Sequence, residues 1–407
     1  MASSLKNKLN ALRGAQGKPK PAPRNGGLQV TRTVYPLPEG LDALNGDGLL
    51  RIGWTGRRFD LDRVCFLDTE TTGLSVGAGT VAFLVGVGYA MGEGFCVEQL
   101  FMRDYSDEPE LLLRLNELLC RFDGVVTFNG RRFDLPLLST RCLMNRQENP
   151  VERLQSLDLL YPSRRLWKLR LGSCRLANLE ERVLGIHRDG DLPGSEVPQR
   201  YFDYLKTGDM SLIEDILAHN RQDIVTLGRL LAVLTQAYGA PEQLQERMDL
   251  FSVGRAMERQ GDLRVAGQVY RIAARPRPVT TISALIGERY AGEANYRLFL
   301  MYRRTREYDK AVQTLQMMVE RRQKGHVPFV ELAKLEEHAY RDDAAALNWA
   351  LRAKACAPES EQEALNRRIA RLQGRLTKKN AAQAAGKTTL PGALNQEDAK
   401  NGNVRCV

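Results

Sequence analysis

The chain has 407 residues, 43% hydrophobic and 27% charged, with 59 lysines and arginines against 49 aspartates and glutamates and a net charge of +10. That length supports two or three separately cored domains, and the composition is that of a globular chain. The longest apolar run, residues 80–91, is too short to span a bilayer, no secretory leader pattern opens the chain, and the seven cysteines form no C-x-x-C pair; membrane, exported, zinc-binding and dithiol-redox classes are set aside, and a cytoplasmic location is expected.

Residues 1–40 are rich in Lys, Arg, Pro, Gly and Asn, and the first acidic residue is Glu39; they read as a flexible basic tail. Residues 60–237 then mix strand and helix signals. Val64-Cys65-Phe66-Leu67 is an apolar run fit for a buried strand. Residues 81–89 predict a second strand, Gly92 and Gly94 a turn, and residues 95–102 a third strand. Residues 110–121 carry helical periodicity, and Gly124 resets the chain into the strand Val125-Val126-Thr127-Phe128. A short strand is predicted at 157–159. The last helix of the region begins near Ser211, where Ser211 and Glu214 have capping-box spacing, and Gly239 stops it.

Residues 241–375 become all helical. Ala266 is followed by Tyr270 and Ala273, Ala311 by Leu315 and Met318, and Ala346 by Ala350 and Ala353, a degenerate pattern similar to the second helix of a tetratricopeptide repeat. Residues 376–407, rich in Ala, Asn, Gly and Lys, read as a disordered tail.

Three segments carry chemistry. In Phe66-Leu67-Asp68-Thr69-Glu70-Thr71-Thr72-Gly73-Leu74, Asp68 and Glu70 alternate along a strand, so both carboxylates project from one side. Two such anions at the end of an apolar strand repel unless a cation neutralises them, and hard oxygen ligands suit Mg²⁺ or Mn²⁺. A bare D-x-E is more often an exposed strand end with two solvated acids. The second segment ends a buried strand in the turn Asn129-Gly130 and opens a helix at Asp134, which also has an ordinary role as a helix N-cap. Arg131 and Arg132 in that loop meet either phosphate or solvent. In the third, His219 and Asp223 share one helical face, with Ile216, Leu217, Ile224 and Leu227 set against a core. A further cluster, Arg164, Arg165, Lys168, Arg170 and Arg175 around Tyr161 and Trp167, suits either a stacked single strand or a solvated amphipathic segment. The basic surplus as a whole favours polyanionic partners.

In this order the three segments resemble the exonuclease motifs of the DEDD (DnaQ-like) 3′→5′ exonuclease superfamily, and the N-G-x-x-F-D-x-P of the second is similar to the proofreading exonuclease of family B DNA polymerases. Asp158-Leu159, Leu166-Trp167, Leu179-Glu180, Leu184-Gly185, Tyr204-Leu205 and His219-Asn220 extend the resemblance to the YprB-type group, which joins this domain to C-terminal tetratricopeptide repeats. The resemblance implies an α/β, ribonuclease-H-like mixed sheet flanked by helices, followed by an all-α helical-repeat domain. It also implies that Asp68, Glu70, Asp134 and Asp223 hold two divalent cations, Mg²⁺ or Mn²⁺, which acidify water and stabilise the leaving 3′ oxygen in phosphodiester hydrolysis. His219 would be the general base or would orient the water, and Thr69, Leu74 and Asn129 would contact substrate. The implied partners are nucleic acid, DNA or RNA, and a protein bound by the helical repeats. One departure stands out. Three residues separate His219 from Asp223, where the histidine class of the superfamily has four; one helical position is about 100° of rotation. The alternative is therefore a catalytically weak or silent nucleic-acid-binding adaptor that recruits proteins through its repeats.

Overall fold

The computed structural model describes residues 27–55, 58–73, 79–188, 192–278 and 282–386. The chain divides into two compact units, Met1–Val269 and Tyr270–Val407.

The first unit is built on a six-stranded mixed sheet: β1 (Gln29–Pro36), β2 (Val64–Thr71), β3 (Ala82–Met91), β4 (Gly94–Phe101), β5 (Gly124–Thr127) and β6 (Gln155–Asp158), in the spatial order β1-β4-β3-β2-β5-β6. β1–β4, β4–β3 and β3–β2 are antiparallel, and β2–β5 and β5–β6 are parallel. The apolar runs explain this order. β2 opens with four consecutive buried residues and β5 is buried throughout, which suits strands covered on both faces. The parallel steps need crossovers, supplied by α2 (Glu108–Leu119) and α3 (Asp134–Met144), whereas Gly92 at φ 62° allows the tight β3–β4 turn. Ahead of them lies α1 (Gly46–Ile52). After β6 come α4 (Leu160–Leu171), α5 (Val197–Thr207) and the long α6 (Ser211–Gly239). Tyr201 of α5 stacks on Phe83 at 4.0 Å between ring centroids and donates its hydroxyl to Met102 O at 3.0 Å.

α6 buries Ile216, Leu217, Ile224 and Leu227, as its periodicity predicts. It lies so close to β3 that a Cβ on Gly86 would sit 2.2 Å from both Asn220 Oδ1 and Ile224 Cδ1. That close approach is what brings the polar face of α6 to the end of β2.

Beyond the sheet lie α7 (Arg247–Gln260), α8 (Leu263–Ala273), α9 (Ile282–Arg304), α10 (Tyr308–Glu320), α11 (Val327–Leu335), α12 (Asp343–Cys356) and α13 (Glu359–Gly386). From α9 to α13 each helix packs on the next. The small residues of the predicted repeat face inward: Ala266, Ala311, Ala346, Ala350 and Ala353 are fully buried. A π turn, Glu336–Tyr340, follows α11, and its buried Glu337 accepts from Arg368, Arg371 and Arg375 of α13. Among the described residues no helix is long and apolar enough to cross a membrane.

Several sequence expectations are corrected. β1 lies inside the stretch read as a flexible tail, while residues 1–26 are outside the described residues. α13 continues to Gly386, so the first part of the expected C-terminal tail is helical; residues 387–407 are outside the described residues. α7 packs on α4, with Arg170 Nε 2.9 Å from Asp249 Oδ1, so the helices after residue 240 begin within the first unit rather than in the repeat region. Met210 occupies the cap position of α6 with no side-chain cap bond, and Asp209 Oδ1 before it accepts from the Ser211 N–H at 3.0 Å, so the expected Ser211–Glu214 box does not form. Trp167 is buried and offers no face for a base to stack on.

Candidate functional site

The two acids of β2 leave the sheet where its cover ends: Asp68 and Glu70 are both partly exposed between buried neighbours. Asp68 lies opposite Gly86 and Glu70 opposite Leu84, and the ladder shifts register between Glu70 and Thr71. The chain then turns, with Thr71 Oγ1 donating to Gly73 O at 2.7 Å and Val81 N–H to Thr72 Oγ1 at 3.0 Å. Leu74, expected to contact substrate, lies outside the described residues.

Asp134 is the first residue of α3 and is buried; it does not cap the helix, because Phe133 occupies the cap position. Its carboxylate instead accepts the hydroxyl of Thr69 at 2.5 Å. Thr69, expected at the substrate, is itself buried and spends its hydroxyl on positioning this acid. The loop before α3 is fixed by Asp158 at the end of β6, which accepts from the N–H groups of Asn129 at 2.8 Å, Arg131 at 3.1 Å and Leu160 at 3.0 Å. Asn129 takes φ 67°, a conformation asparagine tolerates better than most residues. Asn129, Arg131 and Arg132 are exposed.

α6 supplies the rest. Fully buried Asn220 donates to Asp68 Oδ2 at 2.9 Å and accepts from Gln99 Nε2 at 2.9 Å, and Arg221 donates to Gln99 Oε1 at 2.9 Å. One turn away, His219 Nε2 lies 3.6 Å from Asp223 Oδ2. The guanidinium of Arg188 meets both: one terminal nitrogen lies 2.9 Å from His219 Nδ1 and the other donates to Asp223 Oδ1. Its Nε donates at 2.5 Å to Glu180, a fully buried carboxylate that also accepts the hydroxyl of Thr226.

The acids feel one another. Enclosure, then the charges of Asp223, Asp134 and Glu70, hold the Asp68 carboxyl well above the usual carboxylate range, against the hydrogen bond from Asn220. Enclosure, then Asp223 and Asp134, push Glu70 up to about 8. Enclosure pushes Asp134 up to about 6, opposed by the Thr69 hydroxyl and by backbone N–H groups. Asp223 is raised by enclosure, with His219 and Arg188 pulling the other way. The structure therefore gathers Asp68, Glu70, Asp134 and Asp223, from three separate elements, within reach of each other's fields. One buried and three partly exposed carboxylates in mutual repulsion form a hard-oxygen donor set that fits a divalent cation. Among the described residues no three such side chains already stand as a closed metal cage, and the positive charge at the Asp223 end comes from Arg188.

Arg188 and Gln99 were not legible as site residues in the sequence. Glu180, Asn220 and Asp158 were marked by resemblance only, with no role attached. The signal for Glu180 is structural: it opens a π turn, Glu180–Leu184, an irregularity frequent at functional sites.

Residues 65–235 match the family RNase_H_2, described as RNase_H superfamily. "Uncharacterized protein YprB" of Bacillus subtilis (strain 168) is 28% identical over 334 residues, covering 78% of this chain and 76% of its own length. The family B DNA polymerase from the hyperthermophilic archaeon Pyrobaculum calidifontis superposes with a TM-score of 0.35 and 15% identity, over 60% of this chain and 30% of the polymerase. The chain thus spans less than a third of that polymerase.

Proposed function

We propose that this chain, whose residues 65–235 are a ribonuclease-H superfamily domain, is a metal-dependent 3′→5′ exonuclease that hydrolyses phosphodiester bonds of DNA or RNA. The observation that carries this reading is the convergence of Asp68, Glu70, Asp134 and Asp223, whose carboxyls all stand above their ordinary pKa through enclosure, with the other acids of the set adding to it at Asp68 and Glu70. These four residues would hold Mg²⁺ or Mn²⁺, two ions in the full arrangement. When bound, such ions neutralise phosphoryl charge and acidify a water molecule. The chain's own groups do the positioning. Asn220 fixes the Asp68 carboxylate and Thr69 fixes that of Asp134. Asn129, Arg131 and Arg132 stand exposed on the loop leading to Asp134, where donors and cations suit a nucleotide and its phosphates. Arg188 has only donors, so His219 Nδ1 accepts and a neutral His219 carries its proton on Nε2, toward Asp223. In that arrangement His219 orients groups, and it becomes a general base only after parting from Arg188.

The test is degradation of labelled single-stranded DNA and RNA oligonucleotides with Mg²⁺ or Mn²⁺ by the wild type and by Asp68→Asn. Loss of the site acid is expected to slow cleavage by on the order of a hundredfold or more. Equal degradation by both proteins sinks the assignment.

A second reading is a silent nucleic-acid-binding adaptor, cytoplasmic, recruited through tetratricopeptide-like packing of α9–α13. The Arg188 guanidinium bonded to Asp223 and His219 favours it. Salt-sensitive binding without divalent-dependent cleavage would select it.

A further inference from the structure

Arg188 is held from behind and reaches forward. Behind it, Glu180 is fully buried and has both carboxylate oxygens engaged, one by the Thr226 hydroxyl and one by Arg188 Nε. A guanidinium anchored at Nε has its two terminal nitrogens aimed in a fixed fork. Here the fork falls on Asp223 Oδ1 and His219 Nδ1. Each contact occupies a lone pair, and the Asp223 lone pair is one that a metal ligand must present to its ion. A half-buried Arg–carboxylate pair of this kind is displaced most readily by a competing cation.

We infer that Arg188 is a positioning residue, the resident counter-cation of Asp223, which competes with a divalent cation for Asp223 Oδ1 while keeping its anchor on Glu180. The inference rests on the reading of Asp223 as a metal ligand. It follows that metal affinity is set partly by a residue that is not a ligand. Loading the site means breaking the Arg188–Asp223 contact, and the same movement frees His219 Nδ1.

The experiment titrates the full chain with Mn²⁺ in the absence of nucleic acid and follows free Mn²⁺ by electron paramagnetic resonance. The variants are Arg188→Gln, Arg188→Lys and the double variant Glu180→Gln with Arg188→Gln. In the double variant the buried Glu180 is not left as an uncompensated charge, so it reports even if the single variant folds poorly. Arg188→Gln and the double variant are expected to bind Mn²⁺ on the order of tenfold more tightly than the wild type, with Arg188→Lys in between. In an Asp223→Asn background the gain from Arg188→Gln should largely vanish, because the two residues act through one contact. Unchanged or weaker binding by both Arg188→Gln proteins overturns the inference and leaves the metal site standing. An equal gain in the Asp223→Asn background also overturns it, since the effect would then be general charge rather than competition for one oxygen. No Mn²⁺ binding by any protein removes the ligand reading itself, and the inference with it.

Discussion

Asp68 accepts from an amide and Asp134 from a hydroxyl; these neutral donors aim the two carboxylates without cancelling their charge. The cost shows as raised pKa values, and raised acid pKa values carry a definite sign. Glu70 titrates at about 8 when folded against an ordinary 4.5, and Asp134 at about 6 against 3.8. Between those limits the folded chain binds more protons than the unfolded one, so these groups lower stability as pH rises from about 4 to about 8. In EDTA, Glu70→Gln is therefore expected to raise the thermal midpoint more at pH 8 than at pH 5.5, and saturating Mn²⁺ should erase the difference. A gain independent of pH in EDTA would show that Glu70 is not paying for proximity to the other acids. At this scale the four acids were legible because a nine-residue motif, a turn-plus-helix motif and a helical pair each have their own spacing. Arg188 was not, because no periodicity links residues 180, 188 and 223; a π turn and a loop join them.

The elements that deliver these side chains are set by packing between α6 and β3. Gly86 and Gly88 leave room for Asn220 and Ile224, and a Cβ on Gly88 would come within 2.4 Å of Ile224 Cγ2. Gly86→Ala is expected to cost about 1–3 kcal/mol by overpacking, read as a lower denaturation midpoint with an unchanged slope. A neutral result would mean that α6 can retreat from the sheet, and Asn220 with it. β2 to β5 were readable from apolar runs bounded by glycine or polar residues. β1 was hidden because its Val-Thr-Arg-Thr-Val alternation sits beside a basic, proline-containing flank, and its partner β4 lies far along the chain. The end of α13 was misread for another reason: its Ala, Lys and Gln residues look like low complexity, yet they are strong helix formers.

Across the whole molecule, two units keep separate cores. In the second, Glu337 is the shared acceptor of three guanidiniums, with a side-chain exposure of 1%. Glu337→Gln should cost about 1–3 kcal/mol, since hydrogen bonds to a charged group are lost. Hydrogen–deuterium exchange is expected to quicken in α11 to α13 and to stay unchanged in β2 to β5. Faster exchange in the sheet would mean that the two units unfold as one. The mixed sheet and the helical region were both legible from the switch between strand signals and helical periodicity. The break at residue 269 was not, because α7 and the helices after it share one period, and the contacts that tie α7 to the first unit, Arg170 with Asp249 and Gln260 Nε2 with Arg51 O, join residues far apart in sequence.

β1 lies at the rim of the sheet, and Arg32 faces Glu98 across the ladder, 2.7 Å away. Glu98 is fully buried and also meets Arg114. Sliding β1 along by one residue would turn Arg32 to the opposite face and leave the buried Glu98 carboxylate with Arg114 in place of two guanidiniums. The ion pair therefore acts as a key for the first strand: it admits one alignment, and it leaves a foreign strand that lacks a matching cation with a poor fit in the same place.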